Sequence, residues 1–290
     1  MQAHTIDRAR LAALVAEESE RFVATHPNSV ALARRAGASL VRGVPMPWMQ
    51  RWASPVPPFA VSARGAEIVD ADGARYLDLA LGDTAAMAGH SPEPVVRAVA
   101  EQLARGTTTM LPSEAAIGAA EELARRFGLP LWQFVLTATD ANRFVLRLAR
   151  LATGRPKVLV HNWCYHGTVD ETFAVVNPRA TAGEAIARPG NLGPQVDPAT
   201  TTRVVEINDL AATEAALATG DVAAILVEPA LTNIGIVRPD PGYHAALRAL
   251  ATKYGALLIV DETHTISLGP GGATATWSLR PDAKIGRAHV

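Results

Sequence analysis

Two carboxylates stand directly after an apolar run in the C-terminal part of the sequence. Leu257 to Val260 are all apolar, and Asp261 and Glu262 follow them without a break. Such a run predicts a strand that is covered on both faces, as in a parallel sheet. Because open α/β sheets bind ligands at the carboxyl ends of their strands, Asp261 is a candidate ligand-binding residue. The alternative is a buried strand that ends in a polar turn.

A second candidate site lies at a predicted strand-to-helix turn, where residues 137–142 are Thr-Ala-Thr-Asp-Ala-Asn. Thr137 and Asp140 have the spacing of a capping box, ahead of apolar residues at helical spacing, Phe144, Leu148 and Leu151. A helix that begins at small residues can bind a phosphate through its N–H groups and its dipole. An ordinary helix cap is the alternative. The glycine pattern of a Walker loop or a dinucleotide fold is missing from this stretch.

Aromatic and imidazole side chains follow another predicted strand, in residues 161–167, His-Asn-Trp-Cys-Tyr-His-Gly. They could form a stacking face for a flat ligand, and a strand end packed with aromatic residues is the alternative. Neither an HExxH motif nor a paired-cysteine spacing accompanies His161 and His166, so no metal site is predicted. The lone Cys164 is interpreted as a packed residue rather than a nucleophile.

A third predicted strand ends at Val227-Glu228-Pro229, with Thr232 and Asn233 beyond it. From residue 92 onward, strands and helices alternate, which predicts an α/β fold with a mostly parallel sheet and helices on both faces. In that fold the three polar strand ends meet in one crevice. The predicted strands are Gln133–Thr137, Lys157–His161, Phe173–Val176, Thr202–Glu206, Ala223–Glu228 and Ala256–Asp261. The predicted helices are 94–105, 114–127, Ala141–Ala152, Asp209–Ala218 and Tyr243–Tyr254.

The N-terminal part of the chain has a different pattern and predicts a small α+β segment. Residues 6–25 and 28–42 have the composition of helices, and a proline-rich loop follows at residues 43–58. The pieces Glu67–Asp70 and Arg75–Asp78, separated by Asp72-Gly73, predict a β-hairpin.

Composition excludes several classes of protein. Of 290 residues, 49% are hydrophobic and 19% are charged, which is typical of a globular protein. The net charge of −1 gives no support for nucleic acid or an anionic membrane as a partner. Neither a signal peptide nor a membrane-spanning run is recognised in the sequence. A single cysteine excludes an intrachain disulfide, and these features together predict a cytoplasmic protein.

Taken in order, these motifs resemble those of the class III aminotransferases, fold type I enzymes that depend on pyridoxal phosphate. Within that family, the chain looks most similar to the glutamate-1-semialdehyde aminomutase-like branch. The turn from Thr137 to Asn142 stands where the family usually has SGTEAN, and Tyr165-His166-Gly167 matches its YHG. The other matching motifs are the hairpin Asp70–Asp78, Gly89-His90 with Pro92, Glu228-Pro229 with Asn233, and Asp261-Glu262 with Thr265.

The resemblance implies a role for each matching residue. Asp261 would pair with the protonated pyridine nitrogen and keep the ring cationic. Tyr165 would stack on the ring, and Ala138 and Thr139 would donate to the phosphate. The remaining residues that it assigns to the cofactor site are His166, Glu228, Asn233 and His264. Thr263 in place of the usual valine, Ala138 in place of glycine and Asp140 in place of glutamate depart from the family pattern.

The lysine that binds the cofactor covalently in this family is not identified in the sequence. The resemblance places it at Ala288, and the nearby Lys284 lacks the usual Leu-Gly-Lys context. We hypothesise that residues 283–290 are a non-native tail, because Ile285 to Val290 match one reading frame of a common short-read sequencing adapter. The C-terminal small domain of the family would then be absent, and the native codons after Asp282 test this hypothesis.

The predicted organisation is therefore an N-terminal segment of residues 1–90, an incomplete pyridoxal-phosphate-binding large domain of residues 91–282, and the tail. The resemblance implies a homodimeric aminotransferase that acts on a small-molecule amino donor and a carbonyl acceptor. The alternatives are a glutamate-1-semialdehyde-type aminomutase and a non-catalytic fragment or relative. We expect the 290-residue chain as written to show no transamination and little stable binding of pyridoxal phosphate.

Overall fold

The structure, a computed structural model, describes residues 6–191, 193 and 196–287. These residues form two compact units, which divide between Thr107 and Thr108. The first unit contains α1 (Arg8–Thr25), α2 (Pro27–Ala36), β1 (Ala60–Arg64), β2 (Glu67–Asp70), β3 (Arg75–Leu77) and α3 (Glu93–Arg105). Its three strands form an antiparallel sheet in the order β1-β2-β3.

The second unit carries the residues of the candidate site. In chain order it contains α4 (Glu114–Phe127), α5 (Ala138–Thr153), β4 (Lys157–His161), β5 (Ala174–Val176), β6 (Ala185–Ala187), β7 (Thr202–Val205), α6 (Leu210–Leu217), β8 (Val222–Val227), α7 (Tyr243–Tyr254), β9 (Leu257–Asp261), α8 (Gly272–Thr276) and β10 (Ala283–Ile285).

A parallel sheet with the strand order β10-β9-β8-β4-β7 forms the centre of this unit. Leu146 and Ala149 of α5 pack on one face, whereas α6, α7 and α8 pack on the other through residues such as Leu217, Leu247 and Ala273. The strands are apolar throughout because both of their faces are covered. The predicted α/β fold, with helices on both faces of a mostly parallel sheet, is confirmed.

Two predicted strands differ from the structure. Residues Gln133–Thr137 form no strand, because no other strand among the described residues pairs with them, and Leu136 is 98% exposed. The strand predicted at Phe173–Val176 is present as β5, but it pairs antiparallel with β6 in a separate two-stranded sheet. Both errors concern the pairing partner, which a local apolar pattern does not specify.

The N-terminal predictions agree with the structure except at one helix end. The hairpin of β2 and β3 is present, and Gly73 takes a positive φ of 81° in its turn. The helix predicted at residues 28–42 ends at Ala36 with Gly37 as its C-cap, and Arg42 has a φ of 59°, which lies outside the α-helical region.

The predicted tail begins inside the parallel sheet. Residues Ala283–Ile285 form β10, which pairs parallel to β9. Residues 288–290, including Ala288, lie outside the described residues. Within the described ranges, no helix is long and apolar enough to span a membrane, and no group of His, Cys, Asp and Glu could hold a metal ion.

Candidate active site

Asp261 is buried at the end of β9 and accepts hydrogen bonds from three residues. Its Oδ2 accepts from Asn142 Nδ2 at 3.0 Å and from His166 Nδ1 at 2.8 Å. Its Oδ1 accepts from the backbone N–H of Thr263 at 3.0 Å and from the Thr263 hydroxyl at 2.6 Å. A carboxylate offers about four acceptor positions. The side chain is therefore fixed in one orientation.

Asp261 and His166 form a buried ion pair. Burial raises the pKa of Asp261, but the hydrogen bond and charge of His166, with Thr263 and Asn142, outweigh it and lower the pKa to about 2. Burial lowers the pKa of His166, whereas Cys164 and Asp261 raise it, and the net pKa lies well above the usual 6.5. Asp261 therefore presents a permanent negative charge at neutral pH.

We expect this pair to make the stability of the protein depend on pH. The contribution of Asp261 is present above its usual pKa of 3.8 and is lost as the pH falls towards 2. The contribution of His166 is complete below pH 6.5 and is lost as the pH rises through its raised folded pKa. Urea unfolding at a series of pH values should show the alkaline loss in the unsubstituted protein and not in His166→Gln. Equal alkaline losses in the two proteins would contradict the prediction.

The N-terminus of α5 lies beside this pair, since Asn142 belongs to its second turn. Thr137 caps the helix: its hydroxyl oxygen accepts from the N–H of Asp140 at 3.1 Å, and its hydroxyl donates to the Asp140 carboxylate at 2.8 Å. The N–H groups of Ala138 and Thr139 lie in the first turn of α5, where they have no intrahelical partner and could bind an anion.

Gly167 brings the segment after β4 against this helix end. The N–H of Thr168 donates to the Thr139 hydroxyl at 3.1 Å, and the carbonyl of His166 accepts from Asn142 Nδ2 at 3.2 Å. A Cβ at Gly167 would collide with the Thr139 hydroxyl and lie 3.1 Å from the Thr139 Cα. Only glycine fits at this close approach.

A second hydrogen-bond chain connects the ends of β4 and β8. Glu228 Oε1 accepts from the backbone N–H of Tyr165 at 3.0 Å, and its Oε2 accepts from the Thr232 hydroxyl at 2.8 Å. His264 Nδ1 lies 2.6 Å from the Thr232 oxygen and extends the chain towards β9. Asn233 takes no part in these bonds and lies exposed in the loop beyond Leu231.

Glu262 and Lys284 lie on the opposite side of the sheet from Asp261. In the register of β9 and β10, Lys284 pairs with Val260 and Ile285 pairs with Asp261, so Lys284 faces away from the candidate site. Its Nζ is fully buried, 2.6 Å from Glu262 Oε1 and 3.5 Å from the centroid of the Phe127 ring. Glu262 also accepts from the N–H groups of Ala273 and Thr274 at the start of α8. Lys284 is thus committed to a structural ion pair.

Three residues of the site had no role in the sequence analysis. Asn142 lies within a motif that was recognised, but its contact with Asp261 spans 119 positions, which no local pattern indicates. Thr263 was noted only as a departure from the family. Thr232 was noted only as a neighbour of Asn233, although it is Thr232 that joins Glu228 to His264.

Comparison with known proteins identifies the family. Residues 48–285 match the model of the class-III aminotransferases. The chain therefore belongs to the class-III aminotransferase family, and the resemblance on which the sequence interpretation depends is confirmed.

The relatives extend well beyond the length of this chain. A glutamate-1-semialdehyde 2,1-aminomutase of Roseiflexus castenholzii is 40% identical over 78% of the chain and 52% of its own length. A glutamate-1-semialdehyde-aminomutase structure from Pseudomonas aeruginosa PAO1 superimposes with a TM-score of 0.90 and 49% identity, over 96% of this chain and 60% of that one. An omega-transaminase structure from Sphaerobacter thermophilus superimposes with a TM-score of 0.81 and 31% identity, over 90% of this chain and 60% of that one.

The cofactor of this family is pyridoxal phosphate, and solved relatives carry PLP or PMP. One is a lysine-to-alanine variant of the Pseudomonas aeruginosa aminomutase in complex with PMP. The donor set of the present chain fits such a group, because an ionised buried carboxylate suits a protonated ring nitrogen and a helix N-terminus suits a phosphate. Each carboxylate oxygen of Asp261 already accepts two hydrogen bonds. A ring nitrogen that donates to Asp261 directly must therefore displace one of these donors.

Two buried polar atoms leave further hydrogen-bonding capacity at this place. Among the described residues, Asn142 Oδ1 and His166 Nε2 have no hydrogen-bond partner. Buried polar atoms without a partner are rare in folded proteins and often mark a functional site. Here both belong to residues that contact Asp261, so the fit to a polar cofactor is supported by an observation independent of the family.

Proposed function

We propose that the protein is a pyridoxal-phosphate-dependent aminotransferase, which moves an amino group between an amino donor and a carbonyl acceptor. The observation that carries this proposal is Asp261, an ionised carboxylate buried at the end of a parallel strand and held by His166 and Asn142. The N-terminus of α5, whose first N–H groups have no intrahelical partner, adjoins it through Asn142. A fixed negative charge beside an anion-binding helix end matches the two poles of the cofactor.

The residues of this site would divide the work of holding the cofactor. Asp261 would keep the ring nitrogen protonated, and His166 would keep Asp261 ionised and oriented. Ala138 and Thr139 would bind the phosphate through their N–H groups. Tyr165 would contact the ring face, and the residues that would line the rest of the site are Glu228, Asn233 and His264. When bound, pyridoxal phosphate supplies an electron sink for the substrate carbanion.

The proton transfer of the reaction needs a lysine, and Lys284 does not meet that need. It faces the other side of the sheet and is paired with Glu262. We therefore expect the 290-residue chain to give no turnover in a transamination assay. Saturable covalent binding of pyridoxal phosphate that is lost in Lys284→Ala would contradict this expectation.

The second candidate is an aminomutase of the glutamate-1-semialdehyde type. It is supported by the curated relative at 40% identity and the solved one at 49%, both of which carry that name. An aminomutase converts one amino carbonyl compound into its isomer with no net amino donor, whereas an aminotransferase needs a separate donor. Turnover of a single amino aldehyde to its isomer without added donor would favour the aminomutase.

The third candidate is a non-catalytic fragment or relative, in which the site binds without reacting. The native codons after Asp282 distinguish it from the enzyme, since a Gly-Lys followed by a glycine-rich turn favours catalysis. The decisive experiment is recovery of the complete gene, followed by a screen of amino donors and carbonyl acceptors with its product. Failure of every donor and acceptor, together with a locus that encodes no such lysine, would overturn the aminotransferase proposal.

We further propose that the complete protein is a cytoplasmic homodimer. The exposed face of α5 supports a partner surface, because it carries an apolar stripe at helical spacing, Phe144, Leu148 and Leu151. Sedimentation of the complete gene product tests the dimer, and a monomer at micromolar concentration would contradict it. The buried, unpaired Cys164 is consistent with a reducing compartment.

A further inference from the structure

The turn after β4 contains a bulky residue in a backbone conformation that favours glycine. Trp163 has a φ of 61°, and its side chain is 41% exposed. The N–H of Cys164 donates to the carbonyl of His161 at 3.2 Å, which places Trp163 at the third position of a β-turn. A positive φ at this position normally requires glycine or asparagine, and a bulky residue adopts it only under strain. The surrounding structure has to hold this turn in place.

Arg188, which follows β6, makes the contacts that can hold it. Its Nη2 donates to the carbonyl of Cys164 at 2.6 Å and to the carbonyl of Thr172 at 3.3 Å. Its Cζ lies 5.6 Å from the centroid of the Trp163 ring and 5.9 Å from that of Phe173. One guanidinium thus binds the peptide that leads to Tyr165 and also contacts the ring of the strained residue.

One nitrogen of the Arg188 guanidinium makes no hydrogen bond to the residues that the structure describes. Its Nε is buried and has no partner among the described residues, which disfavours this position. The two carbonyls and the two aromatic rings must outweigh that loss. The contacts that can offset it are those of Arg188 with the carbonyls of Cys164 and Thr172 and with the rings of Trp163 and Phe173.

The rest of the turn is anchored on both sides. Asn162 donates from Nδ2 to Glu206 at 2.6 Å and accepts at Oδ1 from the N–H of Val176 at 3.2 Å. On the other side, the N–H of Tyr165 donates to Glu228 at 3.0 Å. Between these anchors, the carbonyl of Cys164 is held by Arg188.

We propose that Arg188 is a positioning residue, which fixes the strained Trp163 turn and thereby the direction in which the chain presents Tyr165 and His166. The relevance of Arg188 to catalysis rests on the proposed function, in which Tyr165 contacts the cofactor ring and His166 holds Asp261. The positioning itself depends only on the contacts of Arg188 with Cys164 and Trp163.

Amide hydrogen exchange of the 290-residue chain, followed by NMR, tests the positioning. In Arg188→Ala, the exchange rate of the Tyr165 N–H is expected to rise about tenfold or more relative to that of Leu226 in β8. Arg188→Lys keeps the charge but loses the planar fork, and it should change the same amide in the same direction. An unchanged ratio of Tyr165 to Leu226 in both variants would overturn the proposal.

Arg155 provides a matched control. Its Nη1 also binds backbone carbonyls, those of Val222, Tyr254 and Gly255, far along the chain from the Trp163 turn. Arg155→Ala should destabilise the protein without selectively exposing the Tyr165 N–H. An equal rise at Tyr165 in this control would show that the effect is global, and would overturn the assignment to Arg188.

A double variant tests the part played by strain. Glycine adopts a φ of 61° without cost, so Arg188→Ala with Trp163→Gly should return the Tyr165 exchange rate towards that of the unsubstituted protein. A double variant that exchanges as fast as Arg188→Ala would overturn the role of Trp163.

Titration of the unsubstituted chain with PMP separates the positioning role of Arg188 from the proposed function. Absence of any PMP effect on His166 would count against the proposed function and leave the exchange result for Arg188 standing.

Discussion

Replacement of Lys284 by methionine is expected to lower the free energy of unfolding by about 3–5 kcal/mol. The substitution keeps an unbranched side chain of similar length but removes the ammonium group, which leaves Glu262 as a buried carboxylate without its cation. Glu262 still accepts from the start of α8, and these neutral donors do not replace a charge at 2.6 Å. Urea unfolding at neutral pH measures the change.

Two comparisons identify the cause of that loss. Lys284→Met combined with Glu262→Gln should recover most of the stability, because a neutral buried pair carries no uncompensated charge. Lys253 serves as the control lysine, since it lies 2.6 Å from Glu214 in a pair that is mostly exposed to solvent. Lys253→Met should cost less than about 1 kcal/mol. A loss in Lys284→Met no larger than this would show that the buried pair does not stabilise the fold.

Replacement of Asp261 by asparagine is expected to weaken the binding of PMP about 10- to 100-fold, because a hydrogen bond to a charged group is lost at the ring nitrogen. PMP is the suitable probe, since a solved relative in which one lysine is replaced by alanine binds it. Cys164 and Asp261 both raise the pKa of His166, and the same substitution removes the contribution of the Asp261 charge. NMR titration of His166 therefore reports both ligand binding and the loss of the ion pair.

An exposed aspartate gives the matched control for this second prediction. Asp240 lies at the surface before α7, and Asp240→Asn changes the net charge by the same amount. The affinity of Asp240→Asn for PMP should equal that of the unsubstituted chain. If Asp261→Asn and Asp240→Asn bind PMP equally well, Asp261 does not meet the ring, and the proposed site would have to be abandoned.

The elements around the site were predictable because their signals are local. The apolar runs of β4, β8 and β9 placed these strands within a residue or two. The capping pattern at Thr137 is confirmed, although the helix predicted from Ala141 begins at Ala138. The strand expected at Gln133–Thr137 has the same local pattern but no partner among the described strands. Strand formation depends on that partner, and a single sequence does not show whether a neighbouring strand is available to pair.

The contacts inside the site were less predictable than its members. His166 was assigned to the cofactor, whereas in the structure its Nδ1 meets Asp261 across 95 positions of sequence. Lys284 was a poor candidate on context alone, and its direction became clear only from the register of β10 against β9. Registers and side-chain directions arise from tertiary packing, so a motif identifies the residues and leaves their partners open.

Asp261 and Glu262 are consecutive residues that face opposite sides of one sheet. Glu262 fastens the strand end to α8, where a Cβ on Gly272 would lie 3.1 Å from its carboxyl carbon. A substitution at Gly272, on the face away from the candidate cofactor site, would therefore displace the carboxylate of Glu262, the residue that directly follows Asp261. In directed evolution of this chain, the far side of the sheet therefore offers positions that contact the neighbour of Asp261 in the chain and lie away from the candidate site.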